Sequence, residues 1–118
     1  MLNQNSIMIG TSNPKALAKF YEKVFKKKPD MQEGTWYGWN AGNSFISIGE
    51  HSKVKGKSKE PARIIINFET KEVKKEFKRI KALKAKVIEA PYDMDGAWVA
   101  TFADPDGNYF QLMSPWRN

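Results

Sequence analysis

The chain of 118 residues contains no cysteine and a single histidine, His51. The absence of cysteine excludes disulfides, thiolate nucleophiles and cysteine-based metal sites. No apolar run approaches the roughly 20 residues that a membrane-spanning helix needs. Residues 1–9 also lack the basic and long apolar segments of a secretion signal. These absences predict a cytoplasmic protein without a membrane segment.

Charge is unbalanced, because 20 lysines and arginines oppose 13 aspartates and glutamates for a formal net charge of +7. A basic protein can bind nucleic acid or anionic membranes through phosphate contacts. Here the excess is almost entirely lysine and falls in three separate segments, two helix faces and a linker. Lysine ordinarily lies at the solvated surface, so this distribution favours solvation and makes nucleic acid the least favoured partner.

The first half of the chain carries the pattern of one strand, one helix and further strands. Asn13 and Pro14 are typical of a helix start, and apolar residues then recur at helical spacing as far as Lys26–Lys28. Turn residues Gly42 and Asn43 separate two short segments with strand character. The predicted strands are Ser6–Gly10, Thr35–Trp39 and Ser44–Ile48.

A polar, lysine-rich segment at residues 51–61 is typical of a linker, and the same order of elements follows it. The pattern predicts a helix over Lys71–Lys84 and a turn at Asp104–Asn108, where proline presets φ and glycine admits positive φ. The predicted strands are Arg63–Phe68, Lys86–Glu89 (ended by Pro91), Trp98–Phe102 and Tyr109–Met113.

Strand, helix and further strands therefore occur twice, at a spacing of nearly half the chain, and we interpret each half as one βαβββ unit. Such a repeat indicates two units that bury their apolar faces together. The length suits a single α+β domain. We expect module one at about 4–50, the linker at 51–61 and module two at about 62–115, arranged around a shared small-molecule pocket.

Three features together resemble the vicinal oxygen chelate superfamily, which includes glyoxalase I, extradiol dioxygenases and the fosfomycin- and bleomycin-resistance proteins. They are the N-terminal strand, Asn13-Pro14 with Phe20-Tyr21 in the first helix, and the segment Asp104–Leu112. The resemblance implies two βαβββ modules that form a half-open barrel with the helices outside and the site on the concave face. It also implies a homodimer.

The resemblance further implies a divalent metal bound by histidine from first strands and glutamate from last strands. The corresponding positions here are Ser6, Arg63 or Ile65, Ile46 and Gln111. None is a strong ligand, and Arg63 would repel a cation. We therefore expect no catalytic metal and no other cofactor.

Alternation along the strands assigns side chains to two faces. The set expected to face the helices is Ile7, Ile9, Ile64, Ile66, Phe68, Phe110 and Leu112. The set expected to face inward is Ser6, Met8, Arg63, Ile65, Asn67, Tyr109, Gln111 and Met113. It combines apolar side chains with a cation, two amides, a hydroxyl and a phenol. This composition is compatible with a ligand pocket and equally with side chains that fill the barrel and satisfy each other's hydrogen bonds. Of Trp36, Trp39 and Trp98, we expect at least one to face the pocket, and we expect Trp116 to pack a tail or a dimer contact.

The candidate ligand-binding set is Ser6, Met8, Trp39, Arg63, Asn67, Trp98, Tyr109 and Gln111. No catalytic residue is evident, so the sequence leaves catalysis open. The favoured function is a metal-free protein that binds and sequesters a small amphipathic or aromatic molecule, as bleomycin-resistance-like proteins do. The alternative is a metal-dependent lyase, isomerase or dioxygenase of the same superfamily with atypical ligands.

Overall fold

A computed structural model describes residues 1–115, and the expectation for Trp116 lies outside this range. The chain forms two compact units, of which the first covers Met1–Gly56 and the second begins at Lys57. Each unit contains one α-helix and one four-stranded sheet in the order β-α-β-β-β. The α+β class and the two βαβββ modules predicted from the sequence are confirmed.

The first unit consists of β1 (Ser6–Thr11), α1 (Pro14–Phe25), β2 (Met31–Glu33), β3 (Trp36–Ala41) and β4 (Ser44–Glu50). The strand order in its sheet is β1-β4-β3-β2. β1 and β4 are parallel, whereas the other neighbours are antiparallel. Strand β2 is the one element of this unit that the sequence pattern did not indicate.

Helix α1 begins and ends where the sequence predicts. Asn13 is the N-cap and Pro14 occupies the first turn. Lys26 ends the helix in the left-handed conformation with φ 59°, and its N–H donates to the carbonyl oxygen of Glu22. One face of the helix is buried against the sheet, and burying each large apolar side chain contributes roughly 1.5–3 kcal/mol. The buried residues are Leu17, Ala18, Tyr21 and Val24.

The second unit consists of β5 (Ile66–Glu69), α2 (Val73–Ala82), β6 (Lys86–Met94), β7 (Ala97–Ala103) and β8 (Tyr109–Met113). Its strand order is β5-β8-β7-β6, with β5 parallel to β8 and the other neighbours antiparallel. Within residues 1–115, neither α1 nor α2 has the length and apolarity of a helix that crosses a membrane.

A cluster of phenylalanines fixes which side of the second sheet faces α2. The Phe77 ring on α2 stacks on Phe102 at 5.2 Å between centroids, and Phe102 stacks on Phe110 at 5.6 Å. Phe68 meets Phe110 edge-on at 6.0 Å. Because neighbours along a strand point to opposite faces, Gln111 and Asn67 lie on the other side of this sheet.

The strand predicted at Arg63–Phe68 is wrong in its first half. Residues Pro61–Arg63 form a short 3-10 helix, and β5 begins at Ile66. Proline fixes φ at the start of this turn, and Arg63 closes it by donating from Nη2 to Glu60 Oε2 at 2.7 Å. Ile64, which was expected to face the helix, is instead 77% exposed.

The prediction that Pro91 ends a strand is also wrong, because β6 continues to Met94. Strand β6 lies at the edge of its sheet, and its register against β7 shifts between Glu89 and Tyr92. A proline is tolerated in an edge strand at such an irregularity because its missing N–H interrupts little of the hydrogen-bond ladder.

Candidate functional site

The face of the first sheet that points away from α1, called here the first helix-free face, carries two of the predicted site residues. Strand register places Ser6 beside Phe45 and Met8 beside Ser47 on this face. Met8 is 46% exposed although it is apolar. The alternation in β1 is therefore as predicted, with Ile9 buried on the helix side and its neighbour Met8 on the opposite side.

Two aromatic rings lie on bare backbone on the first helix-free face. The Trp36 ring lies against Gly49, and the Phe45 ring lies against Gly38. A Cβ atom at either glycine would overlap the ring above it. Because no side chain stands beneath them, both rings approach the sheet closely and form an apolar floor, with Trp36 still 38% exposed.

Trp39 points to the other side of the same sheet. Its side chain is fully buried, its ring meets Phe25 of α1 at 5.6 Å, and its Nε1 donates to the carbonyl oxygen of Lys27 at 3.0 Å. The structure therefore does not bring Trp39 together with Ser6 and Met8. Instead, Trp36 is the tryptophan that shares their face.

The second helix-free face is the side of the second sheet that points away from α2. It brings together Asn67 and Gln111, which are register partners on β5 and β8, while Tyr109 lies two residues before Gln111. Gln111 Nε2 donates to Thr101 Oγ1 at 3.0 Å across β8 and β7, and Thr101 is only 5% exposed. The Gln111 side chain therefore already uses one of its hydrogen-bond donors within the sheet.

Arg63 and Trp98, the remaining predicted site residues, lie elsewhere. Arg63 is exposed in the 3-10 helix and forms an ion pair with Glu60. Trp98 points to the α2 side of its sheet, where Lys74 Nζ lies 3.9 Å from the centroid of its ring. Neither residue shares a sheet face with Asn67, Tyr109 and Gln111.

The turn predicted at Asp104–Asn108 is present and is held by one buried carboxylate. Asp104 Oδ1 accepts hydrogen bonds from the backbone N–H groups of Asp106 and Asn108 at 2.9 and 3.0 Å. Gly107 supplies positive φ, 82°. The end of the linker is fastened here as well, because Ser58 N–H donates to the Asp106 carbonyl at 2.8 Å. These contacts give the motif a structural role.

The side chains do not fit the divalent metal site that the resemblance implies. Among residues 1–115, no three histidine or acidic side chains converge. Ser6 Oγ donates to Asn5 Oδ1 at 2.9 Å, and Ile46 is buried on the α1 side of its sheet. His51 accepts a backbone hydrogen bond from Lys53 at Nδ1, as expected of a residue that shapes a turn. A catalytic cation needs several converging donors, and this arrangement does not supply them.

One carboxylate on the first unit has a perturbed pKa. The backbone N–H of Asn40 and the ammonium group of Lys27 both donate to Asp30 Oδ2, at 2.7 and 2.9 Å. These two hydrogen bonds favour the ionised form and lower the pKa of Asp30 below its ordinary value of 3.8. The hydrogen bond from Asn40 joins β3 to the segment after α1 and the one from Lys27 lies within that segment, so both are structural contacts.

Residues 6–113 match the model of the glyoxalase-like domain family. The chain belongs to this family. The match extends over both units and confirms the resemblance to the vicinal oxygen chelate superfamily. No curated protein matches the sequence at a significant level.

Solved structures show the same fold. A glyoxalase/bleomycin resistance protein/dioxygenase family enzyme from Burkholderia phytofirmans is 25% identical, with a TM-score of 0.77 over 96% of this chain and 98% of that one. A glyoxalase-related enzyme from Fulvimarina pelagi is 16% identical, with a TM-score of 0.80 over 98% and 89%. A conserved domain protein reaches a TM-score of 0.82 at 22% identity, over 98% and 100%.

Sequence reasoning missed Phe45 and placed Trp39, not Trp36, in the candidate ligand-binding set. The signal for both was the pair of glycines in the neighbouring strands, Gly38 and Gly49. A glycine inside a strand often marks a close approach of another group. Which ring approaches which glycine depends on strand register, and that is not visible in the sequence.

Proposed function

We propose that this glyoxalase-like chain binds a small aromatic or amphipathic molecule on the first helix-free face, without a metal ion. The observation that carries the proposal is the pair of rings, Trp36 on Gly49 and Phe45 on Gly38. Because the two glycines carry no side chain, both rings lie in close contact with the backbone of the sheet. A planar ligand can then stack on a surface that is already ordered.

The chemistry around the rings supports this ligand class. Stacking between aromatic rings contributes about 0.5–1.5 kcal/mol beyond simple area burial. Met8 adds a flexible thioether, a group that adapts to irregular apolar ligands. The hydroxyls of Ser6 and Ser47 lie on the same face and offer polar contacts. A small-molecule site is typically mostly apolar with a few such polar groups.

The second helix-free face is a further candidate contact surface in its own unit. Asn67, Tyr109 and Gln111 present amides and a phenol there, and all three are at least partly exposed. Neutral donors and acceptors of this kind orient a polar ligand without requiring a counter-charge. Among residues 1–115, no three histidine or acidic side chains converge to hold a metal ion, and this supports binding over metal-dependent catalysis. The homodimer and the cytoplasmic location stay predictions.

The proposal is tested with a library of aromatic antibiotics and aromatic metabolites, using tryptophan fluorescence to find ligands and calorimetry to measure their affinity. Replacing Trp36 by alanine should weaken binding of a ligand by about tenfold, which corresponds to about 1.4 kcal/mol. For an uncharged ligand, Trp98→Phe is the matched control, because Trp98 lies on the α2 side of the other sheet and its replacement should leave affinity for such a ligand unchanged. No response across the library, or unchanged affinity after Trp36→Ala, would contradict the proposal.

A further inference from the structure

A cleft of about 370 Å³ lies on the α2 side of the second unit, where α2 begins. Lys71, Lys74, Lys75, Trp98 and Ser114 line it. Its volume is within the range of about 300–1,000 Å³ that small-molecule sites occupy. Because Trp98 points away from the second helix-free face, the cleft is separate from the surfaces considered above.

Trp98 forms an ordered wall of this cleft. Its backbone N–H donates to Ser114 Oγ at 2.8 Å, and Ser114 N–H donates back to the Trp98 carbonyl at 2.9 Å. The ammonium group of Lys74 lies over the indole ring, 3.9 Å from its centroid. This cation–π contact fixes a positive charge directly beside an aromatic surface before any ligand arrives.

The charge of the cleft is strongly positive. Three ammonium groups line it, and Glu72 supplies the opposing carboxylate. That carboxylate pairs with Lys75 at 3.9 Å. Among the ion pairs of residues 1–115, none involves Lys71 or Lys74. An ammonium group has three hydrogen-bond donors, so both lysines have donors available for an anion.

We propose that this cleft binds an anion that carries a planar aromatic ring. The acidic group pairs with the ammonium groups of Lys74 and Lys71, and the ring packs against the indole of Trp98. The cavity, the fixed tryptophan and the uncompensated lysines support this assignment together. This second site goes beyond the proposed function, which concerns uncharged contacts on the two helix-free faces.

The experiment uses 1-naphthoate as the probe, with the uncharged alcohol 1-naphthalenemethanol and the ring-free anion acetate for comparison. Calorimetry measures affinity, and NMR of the four tryptophan indole N–H signals, assigned through single Trp→Phe variants, locates the probe. We expect naphthoate to bind with a Kd below about 1 mM and to shift the Trp98 signal. Each comparison compound should bind at least about tenfold more weakly, because it lacks one of the two contacts.

Lys74→Gln should weaken naphthoate binding by about three- to tenfold, as expected for one charge-assisted contact, and Lys71→Gln should weaken it in the same direction. The matched control is Lys78→Gln, which removes the same charge from an exposed position of α2 outside the cleft. Equal losses in Lys74→Gln and Lys78→Gln would show general attraction to a basic helix and would overturn the proposal.

Two further outcomes would also overturn it: equal affinity for 1-naphthalenemethanol, or no shift of the Trp98 signal. A shift confined to Trp36 would reject the cleft while supporting the first helix-free face. Conversely, naphthoate binding that survives Trp36→Ala but not Lys74→Gln would support the cleft independently of that face. Thermal melts of every variant check that lost binding is not lost folding.

Discussion

Gln111 and Thr101 are joined across strands β8 and β7 by a hydrogen bond of 3.0 Å from the glutamine Nε2 to the threonine Oγ1. Gln111 occupies the position at which the superfamily resemblance implies a metal-binding glutamate. Its neutral amide donates to a buried hydroxyl and thereby holds two strands together. At position 111, this chain therefore has a glutamine that makes a structural hydrogen bond, where the resemblance implies a glutamate that binds a metal.

Replacing Thr101 by valine keeps the volume and removes the acceptor of this hydrogen bond. We expect the free energy of unfolding to fall by about 1 kcal/mol, the usual net value of such a bond, as measured by urea denaturation. Thr35→Val in the exposed turn before β3 should change it by less than about 0.5 kcal/mol. In a double-mutant cycle with Gln111→Leu, the two changes should couple by about 1 kcal/mol; strictly additive effects would refute the contact.

The same substitution should destabilise the protein far more at Trp39 than at Trp36. Trp39→Phe removes the hydrogen bond to the Lys27 carbonyl and leaves a gap beside Phe25, so we expect a loss of about 2–3 kcal/mol of stability. Trp36→Phe lies on the exposed side of the sheet and should cost no more than about 0.5 kcal/mol. Denaturation of both variants under one set of conditions provides the comparison, and equal losses would contradict the face assignment.

A methyl group at Gly49 should displace the Trp36 ring. We expect Gly49→Ala to weaken aromatic ligands about as much as Trp36→Ala does, because both remove the ordered stacking surface. In the Trp36→Ala background, the added methyl should have little further effect on affinity, since the ring it would displace is gone. Calorimetry of the two single variants and the double variant tests this; additive losses in affinity would mean that the glycine acts in another way.

Asp30 should make stability depend on pH at the acidic end. Its pKa is lowered in the folded chain by the Asn40 N–H and the Lys27 ammonium group. Its contribution is therefore present above the unfolded pKa, near 3.8, and is lost as the pH falls through the lower folded value. The stability difference between wild type and Asp30→Asn should shrink below that pH in parallel urea titrations. A constant difference for Asp30→Asn would contradict the assignment.

The parts of the fold that the sequence predicted correctly depend on local signals. Asn13 and Pro14 specify the start of α1 within the chain itself, and alternation at Phe110 and Gln111 separates a buried side from a polar one. Arg63 illustrates the limit of such signals. A run of isoleucines follows Arg63 and favours a strand. Pro61 and the Glu60 carboxylate nevertheless hold Arg63 in a turn.

The candidate site was only partly predictable for a different reason. Trp36 and Trp39 are three residues apart, so alternation places them on opposite faces of a strand. It does not say which face receives the helix. That choice depends on Phe25 and the Lys27 carbonyl, which reach Trp39 only after the chain folds, just as the contact of Phe45 with Gly38 depends on strand register.

We propose that this glyoxalase-like domain binds a small molecule on the first helix-free face without a catalytic metal ion. Elemental analysis of protein purified without chelator or affinity tag, and then dialysed, tests it most directly. We expect zinc, nickel, iron and manganese each far below one equivalent per chain, together with ligand binding that is unchanged by adding a chelator. One equivalent of any of these metals retained through dialysis would contradict it.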